Sequence, residues 1–121
     1  MPRPRWHIAG VKHVSLLLLA LASACTGDAS GGSVDGPKIF ATMCATCHGP
    51  TGRPSESMVA SIRVKDLTSP ELRARITPAL VEHQIRTGSE NKLMPSFQGV
   101  LKDEQIKAVS AYVASPGFVA R

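Results

Sequence analysis

Cys44, Cys47 and His48 stand together in the stretch CATCHG, residues 44–49. Two thiols three positions apart, with an imidazole directly behind the second, could serve as a redox dithiol, contribute to a zinc site, close a disulfide or hold a covalently attached group. A structural zinc site wants four ligands, and this turn offers three at most; there is no second Cys-x-x-Cys. A thioredoxin-like dithiol belongs in a β-α-β setting, and no run of this chain carries a strand pattern. A disulfide between Cys44 and Cys47 would close a very short loop and leave His48 unexplained. Covalent haem attachment through Cys-x-x-Cys-His gives all three residues a role. Each thiol would form a thioether with a haem vinyl group, and His48 would be held under the iron as an axial ligand.

A second axial ligand is then expected, and a thioether sulfur suits haem iron. Met43 sits beside Cys44 and is too close to reach the opposite haem face. Met58 lies ten residues past His48, in what reads as an irregular segment. Met94 is far enough downstream for the chain to circle the haem, with Pro95 to stiffen the loop and Phe97 to pack behind it. His83 projects away from the apolar face of its own helix and reads as a surface histidine.

The elements that must position these residues are helical. Asp35 or Ser33 can cap a first helix, with Pro37 tolerated in its first turn. Gly36, Phe40 and Cys44 then recur every four residues, with Ile39 and Met43 beside them. Ser69-Pro70 opens a short helix through Ile76, and Thr77-Pro78 opens another that Gly88 closes, its apolar face being Leu80, Val81 and Ile85. A last helix runs from Asp103 to Ala114, with Ile106, Val109, Tyr112 and Val113 on one side and Ser115-Pro116-Gly117 as its stop. Asp103 is expected to cap it. The expected fold class is all-α, with three to five short helices. First and last helices should cross with Gly36 and Phe40 against Val109 and Tyr112, the glycine allowing close approach and the two rings pairing.

The 121 residues divide before that domain begins. A basic start (Arg3, Arg5, Lys12), an apolar run from Val14 to Ala22 and small residues after it make residues 1–24 a secretory signal peptide. The run is short for a retained membrane anchor. Its end, LASAC, resembles a bacterial lipobox, which would make Cys25 a lipid-modified mature N-terminus; the alternative is an ordinary Ala-x-Ala cleavage site that leaves Cys25 a free thiol. The stretch that follows Cys25, TGDASGGSVDGP, is rich in Gly, Ser and Asp and reads as flexible, which makes residues 25–32 a tether and leaves 33–121 as the domain. The formal charge of +5 comes largely from the leader. Without it 11 Lys and Arg face 9 Asp and Glu, a net of +2, mixed in sign and poor in aromatic residues. No nucleic-acid stripe is present in such a pattern. The mature domain has three Phe, one Tyr and no Trp, a thin supply for a core of this size, so a bound group is expected to fill it.

GPKIFATMCATCHG resembles the first helix of class I cytochromes c, with Gly36, Phe40, Cys44, Cys47 and His48 on the family's Gly-x3-aromatic-x3-CxxCH pattern. LMPSFQGVLKDEQIKAVSAYVAS is similar to the family's distal methionine loop and C-terminal helix. The likeness covers about residues 33–115 and is nearest to bacterial carriers and oxidase-associated haem subunits. It implies a small cytochrome c fold around one haem c, bound through Cys44 and Cys47, with His48 and Met94 on the iron and Gly36, Phe40, Val109, Tyr112, Pro95 and Phe97 packing around it. It also implies an electron carrier rather than an enzyme, with redox proteins as donor and acceptor. With the leader it implies the periplasmic side of a bacterial envelope and a membrane tether through Cys25. A distal acid or base for peroxidase chemistry is not supplied by any residue. For the haem propionates the candidates are Arg63, Lys65 and Arg73, and for the carbonyl that orients His48 they are Pro50 and Pro54.

Overall fold

In the computed structural model α1 (Gly36–Met43) begins where the sequence places it: Asp35 accepts from the Lys38 amide at 3.1 Å, and the Ser33 hydroxyl accepts from the Asp35 amide at 3.1 Å. The structure describes residue 2 and residues 32–120; the leader, Cys25 and the tether as far as residue 31 lie outside the described residues. A single turn, α2 (Ala45–His48), continues past Cys44. Ser69 caps α4 (Pro70–Arg73), which is shorter than expected, and Thr77 caps α5 (Pro78–Thr87), with Gly88 at its end. The last helix, α6, spans Asp103–Ala114.

One helix is absent from the sequence reading. Ser55 accepts from the Met58 amide and opens α3 (Glu56–Ile62), so Met58 is helical rather than irregular. Its covered positions are only Met58 and Ile62, one turn apart, too few to register as a periodic face. Among the described residues no strand forms, and no helix is long and apolar enough to cross a membrane.

The start of α6 also differs from expectation. Lys102 occupies the capping position and donates its amide to Gln105 Oε1 at 2.9 Å, while Asp103 sits inside the first turn. An acid there favours the positive end of the helix dipole without capping it. Gln105 is fully buried and donates Nε2 to the Ser33 carbonyl at 2.9 Å, tying α6 to the segment that precedes α1.

The centre of the molecule is α6, packed against α1 on one side and α5 on the other. Ile39, Phe40, Ile85, Leu101, Ile106, Val109, Val113 and Phe118 form the buried cluster. A β-carbon built on Gly36 would stand 2.5 Å from the Ala108 carbonyl oxygen, so only glycine permits this crossing. Tyr112 is half-buried beside it, with its ring 5.9 Å from that of Phe40. On α5 the apolar face is narrower than expected: Ile85 is buried and Val81 partly so, but Leu80, in the first turn, is 53% exposed. The stop at Ser115-Pro116-Gly117 becomes a 3-10 turn (Pro116–Phe118) that carries Phe118 back into the core.

Candidate haem site

Cys44 ends α1 and starts α2, so the Cys-x-x-Cys pair is wrapped around one helical turn. The Cys44 amide donates to the Phe40 carbonyl at 2.9 Å, and the His48 amide donates to the Cys44 carbonyl at 2.9 Å. Both thiols are free and half-buried. Burial, followed by the nearby Cys47, pushes the Cys44 thiol up to about 11.

His48 is held by the chain that follows it. The Gly52 amide donates to Gly49, and the Leu67 amide returns to the Gly52 carbonyl at 2.8 Å, which draws the stretch after α3 back beneath α2. The His48 Nδ1 lies 3.1 Å from the Lys65 carbonyl oxygen. A carbonyl can only accept, so Nδ1 carries the proton and the lone pair remains on Nε2. The orienting carbonyl is therefore that of Lys65, not of Pro50 or Pro54. It comes from beyond α3, a helix the sequence pattern did not disclose. Burial lowers the His48 pKa against the opposing effect of this hydrogen bond, which favours the neutral, ligand-competent ring.

Met94 and Phe97, in the loop between α5 and α6, are half-buried against the core, and Pro95 is exposed. The Phe97 amide donates to the Ile85 carbonyl at 2.9 Å, which fastens the loop to the end of α5. Gly88 makes the return possible: its φ is +72°, and a β-carbon there would stand 2.6 Å from the Met94 carbonyl oxygen. Met43 is partly buried on α1, Met58 half-buried on α3, and His83 exposed on α5.

Of the three basic candidates, Arg73 is otherwise engaged. Its guanidinium donates to the carbonyls of Val113 at 2.7 Å, Ala114 at 3.4 Å and Ser115 at 2.8 Å, closing the end of α6, and lies 5.6 Å over the Phe118 ring. Arg63 and Lys65 instead line a shallow cavity of about 430 Å³ together with Val59, Val64, Leu72 and Arg75. Val59, Leu80 and Leu93 are left 45%, 53% and 50% exposed. A neutral imidazole with Nε2 available, two thiols on one turn and uncovered aliphatic side chains form a donor set and surface that fit a haem.

The comparisons with known proteins agree. The family described as "Cytochrome C oxidase, cbb3-type, subunit III" matches residues 34–113. Cytochrome c6 of Nostoc sp. (strain PCC 7120) is 34% identical over 106 residues, covering 84% of this chain and 90% of that protein. Cytochrome c6 of Euglena gracilis is 34% identical over 80 residues, covering 64% and 85%. Among solved structures the KustC0563 c-type cytochrome superposes with a TM-score of 0.60 at 28% identity, covering 69% of this chain and 96% of that one. A helical chain built around such a Cys-x-x-Cys-His turn, matched in this way over most of its described length, belongs to that cytochrome family: it is an electron-carrying c-type cytochrome with covalently bound haem c.

Proposed function

We propose that the chain is an exported, lipid-tethered carrier of single electrons in which Cys44 and Cys47 form the thioethers and His48 and Met94 are the axial ligands. The observation that carries this reading is the His48 hydrogen bond to Lys65, which fixes the tautomer and leaves Nε2 for iron. When bound, haem supplies a ferrous–ferric couple, and sulfur ligation raises its potential relative to nitrogen ligation alone. The chain's own contribution is to hold the imidazole neutral, keep the thioether in place and shield the iron from water. With both axial positions filled, no substrate site is needed, and electrons pass during brief docking with redox partners. Gly36, Phe40, Val109, Tyr112, Pro95 and Phe97 form the packing around the group.

The leader is read as directing export to the periplasmic side of a bacterial envelope, and Cys25 as the lipid-modified first residue of the mature chain. The domain then comprises residues 33–121 on the short tether 25–32. The description of the matched family names an oxidase subunit, which favours a second setting for the same electron transfer, inside a complex rather than between free proteins.

The test is an optical spectrum, oxidised and reduced, of protein matured in a host competent for haem attachment. A weak sulfur-to-iron band at the red end, present in the wild type and absent in Met94→Ala, is the expected result. A high-spin spectrum in the wild type would overturn the ligation. Mass spectrometry of the mature N-terminus tests Cys25 independently: a diacylglyceryl cysteine is expected, and an unmodified terminus overturns the tether.

A further inference from the structure

The peptide units of Met94 are gripped on both sides by a single residue. Its amide donates to the Ser89 hydroxyl oxygen at 2.9 Å, and its carbonyl accepts from the Ser89 amide at 2.9 Å. The Ser89 hydroxyl donates to Asn91 Oδ1 at 2.6 Å, and that oxygen also accepts from the Leu93 amide at 3.1 Å. Lys92, with φ of +64°, closes the turn by donating its amide to the Ser89 carbonyl at 3.0 Å. On the far side of the methionine the Ser96 hydroxyl donates to the Arg86 carbonyl. Met94 is thereby held between Ser89, just past the end of α5, and a contact from Ser96 to the last turn of α5.

Any residue except proline could donate the amide at position 89, but the acceptor for the Met94 amide comes from the hydroxyl alone. Without it that amide loses its partner in the loop. A methionine side chain has three rotatable bonds and little stiffness of its own, so the place of its sulfur depends on how firmly its backbone is held.

We infer that Ser89 is a positioning residue for the Met94 sulfur and sets how readily an outside ligand displaces it. This rests on the proposed ligation of iron by Met94. A tighter backbone raises the local concentration of sulfur at the iron, so loosening the clamp favours an exogenous competitor.

The experiment titrates ferric wild-type holoprotein, Ser89→Ala and Ser89→Thr with imidazole, following loss of the red-end band. Hydrogen exchange of the Met94 amide is measured in the wild type. Ser89→Ala is expected to bind imidazole about five-fold tighter, the ratio for one net hydrogen bond, and Ser89→Thr to return to the wild-type affinity. The Met94 amide is expected to be protected. Unchanged imidazole affinity in Ser89→Ala overturns the inference, as does a Met94 amide that exchanges like an open chain. The wild-type exchange result decides the matter if the alanine variant fails to assemble. Absence of the red-end band from the wild type, with the Met94 amide still protected, means that the ligation reading has failed and the inference with it, although the clamp itself is intact.

Discussion

The ring of Phe118 meets that of Phe40 edge to face, with centroids 5.2 Å apart and planes at 82°. Tyr112 completes the group at 5.3 Å from Phe118, so three aromatic rings from the two ends of the domain share one contact. Phe118→Ala should cost about 3–5 kcal/mol in denaturant unfolding of the holoprotein, as for other buried aromatic truncations. A loss below about 1 kcal/mol would mean that the ring is not part of the core.

Gly36→Ala should be destabilising even though alanine is the better helix former. The new methyl would meet the Ala108 carbonyl at 2.5 Å and Tyr112 Cβ at 2.8 Å, and α1 and α6 would have to move apart. The expected net loss is about 1–3 kcal/mol, the range for overpacking. A variant as stable as the wild type would show that the crossing adjusts freely.

Arg73→Met separates two roles. Removing three hydrogen bonds to the end of α6 should lower stability by about 2 kcal/mol. The reduction potential should stay where it is, since the guanidinium is committed to protein carbonyls. A shifted potential with stability intact would return Arg73 to the propionates.

Arg63 closes α3 in the left-handed region, with φ of +54°. Glycine takes that conformation without steric cost, so Arg63→Gly should stabilise the protein by roughly 1 kcal/mol. A lower melting temperature in the variant would contradict this and point to a role for the side chain in the neighbouring cavity.

The Asp103 carboxylate accepts from the Arg86 guanidinium at 2.7 Å, and this hydrogen bond, reinforced by the charge of Arg86, holds its pKa below the usual carboxylate range. A lowered folded-state pKa contributes stability that is present above the unfolded value, near 4, and is lost as pH falls through the folded one. Asp103→Asn should therefore be less stable than the wild type by a constant amount above pH 5, where both folded and unfolded carboxyls are ionised, and should converge on it at low pH, which flattens the acid limb of the stability curve. High salt should narrow the gap between the variants, because Asp103 is exposed. An acid limb identical to the wild type in Asp103→Asn would remove Arg86 and Asp103 from the account.

The helices with strong start and stop signals were legible in the sequence. Asp35, Ser69 and Thr77 cap where their side chains and the following prolines say they should, and α6 has the predicted bounds. The Cys-x-x-Cys-His turn was legible because two thiols and an imidazole meet in five residues. What escaped was decided by contacts distant in sequence. The Lys65 carbonyl reaches His48 only because α3 and its left-handed end reverse the chain, and Arg73 caps a helix that ends forty residues later. Phe118 lies past the Ser115-Pro116-Gly117 stop and outside any periodic face, yet the 3-10 turn that begins there returns its ring to Phe40. Ser89 carried no periodic or compositional signal; its contact with Met94 comes from the shape of a loop.

The pairing of α1 with α6 also sets the order of events in the life of the chain. Fifty-nine residues lie between the end of one helix and the start of the other, and the third aromatic ring arrives later still. A core made of such distant partners cannot close before the last helix has been synthesised, and it carries a high loop-closure cost for a helical protein. Until α6 has emerged, α1, which ends at Cys44, lacks the helix that packs against it, and the thiols remain open to whatever machinery joins them to their haem.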